Sequence, residues 1–376
     1  MSPTRVALVG LGPVSSPIYK PGEWGTRHLA AILASPQYEL VAVCNSSVES
    51  SQRSIDAHKL SSSVKAYGST EDLARNPDVD LVAIAVNIDK HYDLAKPVIL
   101  AKKDVLLEFP ATPSAAQTAE LAALAKDNGV KLVISSQGRA EPAVRKLKEL
   151  VEAKEIGRVV YSSFSGHIPI DVSKGWPSSL KAFLQIDGSI SRVNINLSHT
   201  LDAFVHVLGG FSTVQSVFNI GQRTTNLLNA TFTEVVEPNF QPTAPDTMLA
   251  QGALTNGGAA NLSLRASEAA ADGVGLRWVI SGTEGELVYT GGAGFIQMGM
   301  ADAKITLRKF GGEAQEVDFS RKEGEHAAGL DPMSLSLLRL YDAIAAGDVD
   351  GYSDIEQSLK TAQLLDEIKE KAIWAN

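Results

Sequence analysis

Two groups of residues in this chain have chemistry to offer. The first is the pair Gly10-Leu11-Gly12, which closes the apolar run Val6-Ala7-Leu8-Val9. Glycines at a strand end let the backbone approach a pyrophosphate, so this turn reads as the start of a nucleotide site. The second group is imidazole and its neighbours: His199 with Asp202 three residues on, together with His167 and Lys174. A histidine exchanges a proton with a hydroxyl near neutral pH, which makes His199 the candidate catalytic residue and Asp202, His167 and Lys174 its candidate assistants. The same His199 also suits a hydrogen-bonded core residue at a helix start, and Asp202 a cap of that helix. His206, inside Phe204-Val205-His206-Val207-Leu208, reads as packed, Trp176 as a cleft residue, and Arg139 as an anion ligand or, more simply, an interdomain ion pair. No metal site is expected. The single cysteine, Cys44, lies in the apolar run Leu40-Val41-Ala42-Val43-Cys44, no His, Asp and Glu cluster has metal spacing, and no nucleophile elbow occurs.

Periodicity supplies the elements that must hold these residues. Strands over 6–9, 39–44, 79–86, 104–108 and 131–134 alternate with helices over 26–35, 48–59, 91–101 and 114–128. The run 79–86 is apolar enough for a central strand buried on both faces, and the helix 48–59 carries a serine-rich surface. Alternation of this kind predicts a doubly wound parallel sheet of the Rossmann type over residues 1–140. Ligands bind beyond the carboxyl ends of such strands. The candidate cofactor residues are therefore Gly10, Gly12, Pro13 and Ser15, then Asn45, Ser46 and Ser47, then Val86, Asn87 and His91, with Glu108 and Gln137 at the last two strand ends. An Asp or Glu after the second strand would accept from a ribose 2′-hydroxyl; three neutral residues there favour NADP, or use of both NADP and NAD, with Arg53 or Lys20 as available cations. Between Gly12 and the helix stands an insert, 13–24, expected to form a wall of the cofactor pocket with Ser15, Ser16, Tyr19 and Lys20 near the ligand.

Beyond residue 141 the pattern changes. A helix over 142–153 precedes strand-like runs at 159–165, 213–219, 247–254, 259–265, 276–281, 286–289 and 303–309, and helices over 332–346 and 353–375 end the chain. These predict a second, α+β domain over 141–376 on a largely antiparallel open sheet, with the last helices free to pack back on the first domain. Length alone favours two domains. Hydrophobic residues at 44% and charged residues at 20% are ordinary for a globular protein, and a net charge of −9 argues against direct nucleic-acid binding. With no signal-like start, no long apolar run and one cysteine, a cytoplasmic protein is expected.

Several segments together resemble the Gfo/Idh/MocA oxidoreductases. They are Leu8-Val9-Gly10-Leu11-Gly12, Trp24-Gly25-Thr26-Arg27-His28-Leu29, Ala85-Val86-Asn87 with His91, and Leu107-Glu108-Phe109-Pro110. Within that family the likeness runs to fungal dehydrogenase-like regulators of galactose metabolism, through Ile134-Ser135-Ser136-Gln137-Gly138-Arg139, His199-Thr200-Leu201-Asp202, Pro245-Asp246 with Gln251-Gly252, and Gly282-Thr283-Glu284-Gly285-Glu286-Leu287. The resemblance implies NAD(P)-dependent hydride transfer to or from a hydroxyl or carbonyl carbon of a sugar-like or secondary-metabolite substrate, and a homodimer or larger oligomer formed through the second-domain sheet. It also implies a lysine where Phe109 stands, and an aspartate four residues before His199, where Ile195 stands. A phenylalanine has no proton to give. An alternative expectation follows: a catalytically silent, dinucleotide-binding transcriptional regulator that binds a protein activator, for which the nucleus is also a fitting location.

Overall fold

The structure, a computed structural model, describes residues 2–13, 23–169, 175–267 and 270–375. It divides into two compact units, Met1–Ala140 with Lys322–Ala362, and Glu141–Arg321 with Gln363–Asn376.

The first unit opens with β1 (Thr4–Val9), α1 (Glu23–Ala34), β2 (Tyr38–Cys44), α2 (Val48–Ala57), β3 (Lys65–Tyr67), α3 (Thr70–Ala74), β4 (Leu81–Ile84), α4 (His91–Leu100), β5 (Asp104–Glu108), α5 (Ala115–Asn128) and β6 (Leu132–Ser135). Its strands pair in parallel in the order β3-β2-β1-β4-β5-β6. β4 is buried along its whole length, as a central strand covered by helices on both faces must be. It is shorter than the expected run because residues 79–80 and 85–86 lead in and out of it. Local signals set the helix ends. Ser114 accepts from the Gln117 N–H to start α5, and Gly129, at φ 67°, closes it in the left-handed region. β3 and α3 escaped the sequence reading because three and five residues are too few to show a period.

The second unit contains α6 (Pro142–Glu152), β7 (Val159–Pro169), β8 (Trp176–Pro177), a π-helical turn (Val193–Leu197) that runs into α7 (Ser198–Leu208), then β9 (Phe211–Asn219), β10 (Thr225–Leu228), β11 (Val235–Phe240), β12 (Thr247–Leu254), β13 (Ala259–Ser267), β14 (Leu276–Gly282), β15 (Gly285–Gly291), β16 (Lys304–Lys309) and β17 (Ala314–Val317). α8 (Pro332–Ala346) and β18 (Ser353–Asp354) return to the first unit, where β18 pairs antiparallel with β6 at the sheet edge. α9 (Ile355–Glu370) and β19 (Ala372–Ala375) end the described chain. The expected helix to residue 375 therefore stops early: Ala372–Ala375 add a parallel strand to β9 instead. Open strand edges supply hydrogen bonds that a fraying helix end lacks.

The second unit's main sheet has nine strands in the order β17-β16-β15-β14-β7-β13-β12-β9-β19, antiparallel except at β7–β13 and β9–β19. α6 and α7 cover one face, and Phe204, Trp278 and Phe164 lock together in that core, with Phe204 stacked on Trp278 at 5.6 Å between centroids. β8, β10 and β11 form a separate small sheet over Trp176, Leu184 and Leu227. No helix among the described residues is long and apolar enough to cross a membrane.

Candidate dinucleotide site and the His199 helix

β1 leaves the sheet at Gly10, whose φ of 97° is open to glycine and strained for other residues. A Cβ there would lie 2.4 Å from the Ala85 carbonyl oxygen. Gly25, in the first turn of α1, comes so near the same turn that a Cβ would sit 2.3 Å from the Gly10 carbonyl oxygen. Close helix–turn packing is the task of the third glycine in a dinucleotide-binding turn, and Gly25 performs it despite the insert. Of that insert, Ser15, Ser16, Tyr19 and Lys20 lie outside the described residues, as does Lys174, whereas Pro13 is exposed.

The far side of the glycine turn is held by α2. Asn45 Nδ2 donates to the Leu11 carbonyl at 2.9 Å, Ser54 Oγ donates to the same carbonyl at 2.7 Å, and His58 Nε2 donates to the Gly12 carbonyl at 2.8 Å. Asn45 thus braces the turn through its amide. Ser47 caps α2 by accepting from the Ser50 N–H, which leaves exposed Ser46 as the residue at the end of β2 with a hydroxyl toward solvent. The serine-rich helix surface is a correction: Ser51 and Ser54 are buried, their hydroxyls bonded to the Tyr67 and Leu11 carbonyls. Sequence reasoning missed His58 and Ser54, although Ser50, Ser54 and His58 at four-residue spacing on one helix face carried the signal.

His91 is turned inward. Its ring is 1% exposed, with Nε2 near the Val86 carbonyl and Nδ1 near those of Pro110 and Ala111, and burial holds its pKa below the ordinary value. It ties the ends of β4 and β5 together. Asn87 is exposed and caps the short helical turn that follows it, and Val86 is half-buried beside it. Glu108 is likewise committed: its Oε1 accepts from His28 Nε2 at 2.7 Å and its Oε2 from the Phe109 N–H at 3.2 Å. Since a carboxylate only accepts, His28 Nε2 donates to it, and His28 Nδ1 is hydrogen-bonded to the Tyr341 hydroxyl at 2.9 Å. This Tyr341–His28–Glu108 chain is buried throughout, and burial raises the Tyr341 hydroxyl well above the usual phenol value. Phe109 is buried in the apolar core beneath the sheet end.

At the end of β6, Ser136 Oγ and Gln137 Oε1 are buried and have no hydrogen-bond partner among the described residues. Nearly all buried polar atoms are hydrogen-bonded, so these two call for a partner. With the glycine turn they fit a polar ligand bound across the strand ends. Arg139, next along, is 3% exposed and donates to Gln357 Oε1 within the same unit.

In the second unit His199 and Asp202 are both buried on α7. Because the π-helical turn runs directly into α7, His199 lies inside a continuous helical stretch rather than at a helix start, and Asp202 is too far along to cap it. Ile195 and Asn194 belong to that π turn; Asn194 Nδ2 donates to the Gly188 and Ser189 carbonyls. His206, one turn further on α7, is half-buried. His167 Nε2 donates to the Ser267 carbonyl at 2.5 Å, while Nδ1 has no hydrogen-bond partner among the described residues. Trp176 is buried and donates to the Leu180 carbonyl. No group of three or more metal-ligating side chains occurs among the described residues.

A model of the oxidoreductase family with an NAD-binding Rossmann fold matches residues 4–136, and a model of the Gal80p C-terminal domain matches residues 142–291. Residues 4–136 are thus similar to the Gfo/Idh/MocA oxidoreductases and residues 142–291 to the C-terminal domain of Gal80p. It is 26% identical to the galactose/lactose metabolism regulatory protein GAL80 of Saccharomyces cerevisiae over 91% of this chain and 80% of that protein. It is 31% identical to the dehydrogenase aclE of Aspergillus oryzae, over 48% of each. In fold it is similar to a super-repressor mutant of Gal80p from Saccharomyces cerevisiae, with TM-score 0.82 and 21% identity over 98% of this chain and 96% of that one. Levoglucosan dehydrogenase in complex with NADH and L-sorbose matches with TM-score 0.75 and 17% identity, over 99% and 97% of the two chains. Phe109 and Ile195 stand where the resemblance implies a lysine and an aspartate.

Proposed function

We propose that the chain binds NADP or NAD at the carboxyl ends of β1, β2, β4, β5 and β6 and exchanges a proton through His199 with a hydroxyl or carbonyl group of a sugar-like or secondary-metabolite substrate. The observation that carries this reading is the Gly10–Gly25 approach, which no side chain larger than hydrogen permits. In this reading Gly10 and Gly12 present main chain to the pyrophosphate, Ser46 meets the adenosine ribose, and Ser136 and Gln137 supply polar contacts at the last strand end. The absence of a carboxylate at Asn45, Ser46 and Ser47 supports acceptance of a 2′-phosphate. When bound, the nicotinamide gives or takes the hydride. His199, buried on a helix, gives the proton that the substrate oxygen gains or takes up the one it loses, and Phe109 contributes shape alone. A cytoplasmic homo-oligomer is the accompanying expectation.

Titration with NADH and NADPH, followed by fluorescence, tests the first half; no binding of either at about 1 mM refutes it. Turnover on a polyol and ketose panel, lost in His199→Ala with cofactor affinity retained, tests the second.

A second reading is supported by Phe109, Ile195 and the Gal80p C-terminal match: a dinucleotide-binding regulator without turnover that binds a protein activator, in the cytoplasm or nucleus. Tight cofactor binding with no turnover on any panel member favours it. Turnover abolished by His199→Ala excludes it.

A further inference from the structure

Arg192 precedes the π-helical turn of the second unit and is 3% exposed. Its Nε and Nη2 atoms are buried and have no hydrogen-bond partner among the described residues. Those two nitrogens form one edge of the planar guanidinium, and their N–H bonds run side by side at the spacing of two carboxylate oxygens. The guanidinium carbon lies 5.0 Å from the ring centroid of Trp176, within cation–π distance of its face. Trp176 offers no acceptor to the edge, and its own Nε1–H is committed to the Leu180 carbonyl at 2.7 Å. The carboxylate whose charge acts on Arg192 is that of Asp246. Its oxygens accept from the Gly221 N–H at 3.0 Å, the Gln222 N–H at 2.7 Å and the Thr247 hydroxyl at 3.3 Å, and neither takes a hydrogen bond from the Nε and Nη2 edge. Burial draws the guanidinium down to about 10 against the pull of Asp246, which still leaves it charged at neutral pH.

A buried cation with an entire edge lacking acceptors is costly unless a partner completes it. We propose that the second unit binds a small organic carboxylate, which docks both oxygens on the Nε and Nη2 edge of Arg192 over the Trp176 platform. This stands on the second unit alone, apart from dinucleotide binding, and it gives the molecule a preference for acidic over neutral polyols.

The test uses the whole chain with formate, acetate and D-gluconate as probes, sorbitol as the neutral partner of gluconate, and inorganic phosphate, each up to about 50 mM in thermal denaturation. At least one carboxylate should raise the midpoint and shift the Arg192 side-chain Nε–H resonance, while sorbitol does neither. Arg192→Lys keeps the charge but removes the fork, and should weaken the effective carboxylate by about tenfold or more; Arg192→Gln should abolish its effect. Should Arg192→Gln fail to fold, the Lys variant and the wild-type resonance still decide. Carboxylate stabilisation that is equal in wild type and Arg192→Lys means an adventitious ion only, and overturns the proposal. So does a response to phosphate with none to the carboxylates, or no response to any probe.

Discussion

Gly25→Ala is the sharpest probe of the glycine turn. The added Cβ would lie 2.3 Å from the Gly10 carbonyl oxygen, 2.9 Å from the Gly10 carbonyl carbon and 3.0 Å from the Leu11 Cα. A carbon–oxygen contact is comfortable at about 3.5 Å, so α1 and the turn must separate by roughly 1 Å. All three obstacles are main-chain atoms, and no rotamer change can relieve them. Overpacking of this kind costs about 1–3 kcal/mol, and a displaced turn reduces affinity by about tenfold for each 1.4 kcal/mol lost from the bound state. Urea denaturation should therefore show a loss near 2 kcal/mol, and NADH titration a fall of about tenfold or more. Gly129→Ala is the control: its Cβ meets nothing within 4 Å, although its φ is 67°. It should cost about 1 kcal/mol and leave affinity unchanged. If Gly25→Ala matches wild type in both stability and affinity, the close-approach argument is wrong; if stability alone falls, the turn packs as described but does not hold the cofactor.

Cys44 is buried, and burial pushes its thiol up to about 12, with Glu71 and Asp72 adding to the effect; a thiol reagent at about pH 8 should label it only after unfolding, and rapid labelling of the native protein would contradict that. In the buried Glu108–His28 pair, His28→Ala should cost about 3–5 kcal/mol because it strands a buried carboxylate. A double-mutant cycle with Glu108→Gln should show coupling well above about 0.5 kcal/mol, and simple additivity would remove the pair from the stability argument. Burial lowers the His91 pKa, so the folded state keeps the ring neutral while the unfolded chain takes up a proton below its ordinary value of 6.5. Stability is then full above about pH 6.5 and falls as the pH drops, by at most about 1.4 kcal/mol per unit. His91→Gln should flatten that decline, and an unchanged slope would assign it to other groups.

The sequence by itself determined the alternating strands and helices, the glycine turn, the neutral end of β2 and the loss of the expected lysine at Phe109. Each rests on a local rule: a period that says which face is buried, a cap such as Ser114, or a side chain that lacks a proton. Tertiary structure alone decided the partners of the polar residues at the strand ends. Asn45 bends back to the Leu11 carbonyl, Glu108 is drawn to His28 eighty residues away, and His91 closes on three carbonyls. It also decided that α8 and β18 rejoin the first unit and that an edge of Arg192 is left bare. The physical reason is that burial faces follow from neighbours along the chain, whereas a buried donor or acceptor is satisfied by whichever distant element the fold brings within about 3 Å. Gly25 joins both levels: its type was plain in the sequence, and its function as the third glycine depends on where α1 restarts against β1.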